Sequence, residues 1–158
     1  MIIVDLNVLL YAVNRDAAHH ARVRAWWEDA LSGDRPIGLA WIVILGFLRL
    51  STSARVFPQP LTSDEALDRV SAWLAHPLVR VASETERQWD LLQQLLREAG
   101  TAGNLTTDAH LASLAIAHGA VLASCDTDFA RFAGLRWENP LGSAPSPRRR
   151  ERRSVELD

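Results

Sequence analysis

Lysine is missing from this chain: all 17 of its basic residues are arginine. Chemistry that needs an ε-ammonium or a Schiff base is therefore excluded, and so is a P-loop nucleotide site with its GK[ST] signature. A single cysteine, Cys125, rules out an internal disulfide framework and fits a reducing cytoplasm. The longest apolar stretches, near residues 36–48 and 111–123, are interrupted or bounded by Gly46, His118 and Gly119. Neither resembles an unbroken membrane span of about 20 residues. The opening MIIVDLNVLLYAVN lacks the basic start of a secretory signal and carries Asp5 inside its apolar run. A cytoplasmic protein with no membrane partner is the expectation.

What is present suits one domain with a real core: 158 residues, 48% hydrophobic and 23% charged. Charge is placed unevenly. Residues 142–158, GSAPSPRRRERRSVELD, hold five arginines against three acids, while residues 1–141 carry a net of −4. The Arg/Pro/Ser-rich tail has almost nothing to bury, so it is expected to be disordered, leaving 1–141 as the folded domain.

Along that domain, strand-like and helix-like segments alternate. MIIVD reads as a short buried strand, and NVLLYAV as one or two helical turns that Asn7 can cap. Residues 17–32 space Val23, Trp26, Trp27 and Leu31 as a helix does, and RPIGLA is strand-like. WIVILGFLRLSTS reads as a helix. Thr62 or Ser63 caps a further helix with Ala66, Leu67, Val70, Trp73 and Leu74 on one face. LVRVAS is a strand, and residues 84–99 form a helix with Trp89, Leu92, Leu95 and Leu96 turned inward. DAHLASLAIAHG is apolar almost all round, hence a central helix. AVLAS, TDFARF and LRWEN follow as strand, short helix and strand. The alternation predicts an α/β sandwich around a mainly parallel sheet of four to five strands.

In such a sheet, ligands bind beyond the carboxyl ends of the strands, at a switch in strand order. Asp5 ends the first strand, Asp126 and Asp128 follow the strand Ala120–Ser124, and Asp108 opens the helix before it. If those strands are neighbours, the acids meet in one crevice, where they repel each other unless a cation or a proton intervenes. Oxygen-only ligands select a hard ion, Mg²⁺ or Mn²⁺, which can activate water for attack on phosphorus. A lone Asp in any of these places is ordinarily a cap; the conjunction IIVD, TTDAHLASLA and SCDTDF, in that order, points to ligands. A receiver or haloacid-dehalogenase-type phosphatase is disfavoured, because both sites use a lysine and VDLNV is not the D-x-D of those phosphatases.

The segments VDLNVLLYA, WIVILGFLRLSTSARVFPQPLT, GNLTTDAHLASLAIAHGA, CDTDFARF and LRWENPL occur together and in order. With them the chain resembles the PIN-domain ribonucleases, specifically VapC-type toxins of bacterial toxin–antitoxin pairs, from Met1 to about Leu141. The resemblance implies a PIN-like α/β/α sandwich, a Mg²⁺- or Mn²⁺-dependent site that cleaves RNA (often tRNA or rRNA), a homodimer, and inhibition by a cognate VapB-type antitoxin. It implies Asp5, Asp108 and Asp126 as metal ligands, with Asp128 as an auxiliary ligand or a group that orients water. Asn7 and Ser124 become supporting residues or plain caps; Arg49 becomes a contact to the scissile phosphate or the partner of an aspartate. One feature departs from the pattern: Gly46 stands where many PIN nucleases carry a glutamate, and no acid occurs between Asp34 and Asp64. One firmly held ion is therefore expected, and a catalytically weakened PIN-like domain that acts by binding RNA or an antitoxin is the alternative.

Overall fold

The first strand, β1 (Ile2–Val4), is buried on every residue, as an inner strand covered on both faces must be. In the computed structural model, which describes residues 1–142, it lies at the centre of a five-stranded sheet of order β3-β2-β1-β4-β5. The other strands are β2 (Ile37–Ala40), β3 (Val79–Ala82), β4 (Val121–Ala123) and β5 (Arg136–Glu138). Every pairing is parallel, with Val4 opposite Ala123 and Ile3 opposite Gly38. The chain leaves β1 in one direction to build β2 and β3, then returns to add β4 and β5 on the other side. That reversal puts the switch in strand order between β1 and β4, as the sequence led one to expect.

Among the described residues six α-helices accompany the sheet: α1 (Leu6–Val13), α2 (His20–Leu31), α3 (Trp41–Ser51), α4 (Ser63–Leu74), α5 (Gln88–Ala99) and α6 (Thr106–Ala117). The central role expected of α6 is seen in the burial of Ala109 and of every residue from Leu111 to Ala115. Helix α1 packs against α2 and α3, and α5 against α6. Trp27 and Trp73 meet edge to face at 5.8 Å, and Trp73 meets Phe47 at 4.9 Å, which ties α2, α3 and α4 together. No helix among the described residues is long and apolar enough to cross a membrane.

The start of α4 follows its sequence signal. Thr62 Oγ1 accepts from the Glu65 N–H at 3.2 Å and Glu65 Oε2 accepts from the Thr62 N–H at 2.8 Å, a reciprocal capping box. Thr62→Ala is expected to lower stability by about 1 kcal/mol, read as a lower denaturation midpoint at unchanged m-value.

Three local expectations are corrected. Asp5, not Asn7, caps α1, because the strand ends one residue earlier and the Asp5 carboxylate takes the Leu6 N–H at 2.7 Å. Helix α5 begins at Gln88 instead of residue 84, and its buried line runs through Gln88 and Leu95. Trp89 stands about 100° away from that line and is 66% exposed, so it is not inward. Leu67 on α4 is likewise exposed while Ala66, Val70 and Trp73 are buried. The reading of 142–158 as a disordered tail falls, from residue 143 onward, outside the described residues.

Candidate metal centre

A strand that ends on an acid delivers that acid to the edge of the sheet. Asp5 leaves β1 with its backbone N–H bonded to the Ala123 carbonyl at 2.9 Å, so it sits beside the end of β4. The residue is only 8% exposed, and its carboxylate would be costly there without donors. Three are supplied. Oδ1 accepts from the Leu6 N–H; Oδ2 accepts from Ser124 Oγ at 2.7 Å and from Asn7 Nδ2 at 2.8 Å. Ser124, fully buried, accepts in turn from Asn7 Nδ2 and from the Asp126 N–H, each at 3.0 Å. Asn7 Oδ1 accepts from the Cys125 N–H at 3.1 Å. One serine and one asparagine thus bind the end of β1 to the segment after β4 and fix how Asp5 and Asp126 face each other.

Asp126 caps the following 3-10 turn (Thr127–Arg131) by accepting from the Asp128 N–H at 2.8 Å. Asp108 comes from the first turn of α6, where the helix dipole favours a carboxylate. Asp5, Asp108 and Asp126 line one cleft of about 240 Å³, together with Asn7, Thr107 and an apolar wall of Leu6, Leu10, Ile42, Val43 and Leu111. Asp128 is outside that lining, on the rim, exposed and 3.5 Å from Arg131 Nη2.

The acids perturb one another. Burial first, then the charges of Asp5, Asp126 and Asp128, push the Asp108 carboxyl up to about 6; only Arg131 pulls it the other way. Burial likewise raises Asp5, and Asp126 adds to the rise, against the lowering by Ser124 and the Leu6 N–H. Burial and the charge of Asp5 push the Cys125 thiol up to about 11, so it stays protonated and is no nucleophile. Among the described residues, no three Asp, Glu, His or Cys side chains are yet drawn close enough to enclose an ion. The donor set nevertheless fits one: carboxylate oxygens without nitrogen or sulfur line one cleft, where burial and neighbouring charges disfavour the ionised form of Asp5 and Asp108 unless a cation compensates.

Several arginines and histidines stand outside the cleft lining. Arg49 on α3 is exposed and does not line the cleft. Arg22 donates to the carbonyls of Leu141 and Gly142, and Arg24 pairs with Glu28. His20 and His110 are satisfied helix residues, bonded to the Tyr11 carbonyl and near Gln88 and Glu84 respectively. Gly46 is buried against α1: a Cβ there would lie 2.6 Å from Leu6 Cδ2. Leu6 therefore packs over the position where the family resemblance led one to expect a glutamate. Thr107, Arg131 and the apolar wall went unremarked in the sequence; the (i, i+3) spacing of Asp128 and Arg131 was the one available signal.

The PIN domain family model matches residues 2–135. The chain belongs to the PIN-domain family. Within it the chain is of VapC type. It is 46% identical over 140 residues to Ribonuclease VapC37 of Mycobacterium tuberculosis, covering 89% of this chain and 97% of that protein. It is also 46% identical over 141 residues to Ribonuclease VapC33 of the same species, covering 89% and 99%. Among solved structures, this PIN domain resembles VapBC2 from Rickettsia felis bound to a fragment of promoter DNA, with a TM-score of 0.66 at 21% identity over 88% of this chain and 98% of that one. Mycobacterium tuberculosis VapC20, a toxin that cleaves the sarcin–ricin loop, matches with a TM-score of 0.59 at 20% identity, covering 86% and 99%.

Removing the hydroxyl between the two strand ends tests the arrangement of this PIN site. Ser124→Ala leaves Asp5 Oδ2 with one side-chain donor and the Asp126 N–H without its acceptor. It is expected to cost about 1–3 kcal/mol of stability, seen by denaturant titration. If the cleft holds Mn²⁺, affinity for that ion should fall roughly 10–100-fold, seen by calorimetry.

Proposed function

We propose that this chain is the toxin of a type II toxin–antitoxin pair, a Mg²⁺- or Mn²⁺-dependent endoribonuclease that hydrolyses RNA phosphodiester bonds in tRNA or rRNA. One observation carries the reading: aspartates from positions 5, 108 and 126 share a cleft at the β1/β4 switch point, where burial and neighbouring carboxylates raise the pKa of Asp5 and Asp108. The names of the curated relatives, both ribonucleases, support it.

Asp5, Asp108 and Asp126 would hold the ion, with Ser124 and Asn7 keeping Asp5 aimed. A bound Mg²⁺ or Mn²⁺ supplies positive charge at the scissile phosphate and lowers the pKa of water. Asp128, on the rim beside Asp108, accepts a hydrogen bond from the attacking water and orients it. Leu6, Leu10 and Ile42 line the same cleft and give it apolar surface beside the acids. Gly46 supplies no carboxylate, and no acid stands between Asp34 and Asp64, which supports one firmly held ion. A cognate VapB-type antitoxin restrains the enzyme, as the VapBC assemblies among its structural neighbours support, and the working form is a homodimer.

A second reading follows from Gly46: a PIN domain that lost catalysis with its glutamate and now binds RNA or antitoxin. Incubation with total tRNA and Mg²⁺ or Mn²⁺ separates the two. Cleavage lost with EDTA and in Asp5→Ala supports the enzyme; RNA bound without any cleavage supports the second reading.

A further inference from the structure

Next to the acidic cleft lies a second cavity of about 330 Å³, lined by Leu95, Glu98, Ala99, Arg131 and Phe132. Its size reaches the roughly 300–1,000 Å³ of small-molecule sites. The last turn of α5 and the turn after β4 form its walls, and the buried Leu95 and Phe132 make a firm apolar floor. Arg131 links the cavity to Asp128. Its guanidinium is 3.5 Å from Asp128 on the rim of the acidic cleft, and its side chain lines the cavity. Glu98 is exposed, and its Oε1 accepts from Gln94 Nε2 at 2.9 Å.

We infer that this cavity seats the unstacked base of a nucleotide adjoining the scissile phosphate, with Arg131 holding the phosphate between the two sites and Glu98 reading the base edge. The inference rests on the ribonuclease reading and adds a specificity site to it. Single-stranded RNA is recognised through splayed bases that lie on apolar or aromatic surface and bond along their Watson–Crick edges. An arginine fork matches a phosphate, and a cation set among acids gives a polyanion a place to cross an otherwise repellent rim. A carboxylate only accepts hydrogen bonds, so Glu98 suits an edge that presents amino or imino donors. Guanine offers two such donors side by side. Uracil flanks its single N–H with carbonyl oxygens and is repelled. The cavity therefore selects guanine and rejects uracil at one position beside the cut.

The test is cleavage of a random-sequence single-stranded RNA pool with Mn²⁺, with the cut ends sequenced and initial rates fitted for kcat and KM. Wild type is expected to disfavour uracil at one flanking position. Glu98→Gln, whose amide both donates and accepts, should remove that bias. Ala99→Trp, which fills the cavity, should raise KM about tenfold, as should Arg131→Gln through the lost charge-assisted bond. Circular dichroism and melting confirm that each variant folds, and Glu98→Gln decides if a bulkier one does not. Wild-type KM and base profile in the folded variants would overturn the inference and assign the cavity to something other than RNA. A wild type that cuts no RNA overturns the ribonuclease reading instead, and this inference with it.

Discussion

Asp108→Asn is expected to make the metal-free protein more stable and to cost it at least about a hundredfold in RNA cleavage. The two effects share one cause. Burial and three neighbouring carboxylates lift Asp108 from 3.8 to about 6, so the folded chain holds that proton more tightly than the unfolded chain does. Stability therefore falls as pH rises from near 4 through 6, and the full penalty is present at neutral pH. An asparagine carries no charge to repel and removes the penalty. Asp108 is partly open to solvent, so screening trims the gain to about 1 kcal/mol, a melting-temperature rise of roughly 2–4 °C. A carboxylate that served only as a helix cap would behave the other way, and its loss would lower the melting temperature. Scanning calorimetry with EDTA at pH 3.5, 5 and 7.5 checks the stability half: the gain should be full at pH 7.5, about half as large at pH 5, midway between the unfolded and folded pKa, and nearly absent at pH 3.5. A tRNA cleavage assay checks the other half.

Mn²⁺ should act on wild type in the same pH window and with the same dependence on Asp108. At a hundredfold excess over its dissociation constant, a ligand confined to the folded state adds about 2.7 kcal/mol, or roughly 5–10 °C in melting temperature for a domain of this size. The expected rise is full at pH 7.5 and mostly lost at pH 5, because protons then compete for Asp108 and Asp5, both of which are raised. EDTA should reverse the rise and stop RNA cleavage together. In Asp108→Asn the rise should be small at either pH. An equal rise at both pH values, or an undiminished one in the variant, would mean that the ion binds elsewhere.

How much of this was legible in the sequence depends on what kind of physics each feature obeys. Local rules served well: the capping box at Thr62, the apolar runs of β1 and β2, and the all-round apolar α6 are set by residues within a few positions of one another. The meeting of Asp5 with Asp126 needed one tertiary step, the adjacency of β1 and β4, and the switch-point rule supplied it. Side-chain direction was less accessible. Trp89 looks like core by composition, but a helix that starts at Gln88 turns it to solvent. Asn7 looks like a cap, yet with Asp5 already capping α1 its amide is free to reach Ser124, 117 positions away. Arg49 appeared well placed for a phosphate because it follows Gly46 by one turn. Instead Arg131, from the turn after β4, stands among the acids, since that turn continues from the strand that carries Asp126. The second cavity had no sequence signal, because its walls come from segments more than thirty positions apart.

At the centre of the account is a single divalent ion held by three aspartates that the fold gathers from distant positions. Diffraction near the manganese edge, from crystals of this chain grown with Mn²⁺, addresses that directly. One anomalous peak per chain, bounded by the carboxylates of Asp5, Asp108 and Asp126, is the expected result. Three carboxylates turned apart with no peak between them, or a peak on other residues, would contradict it.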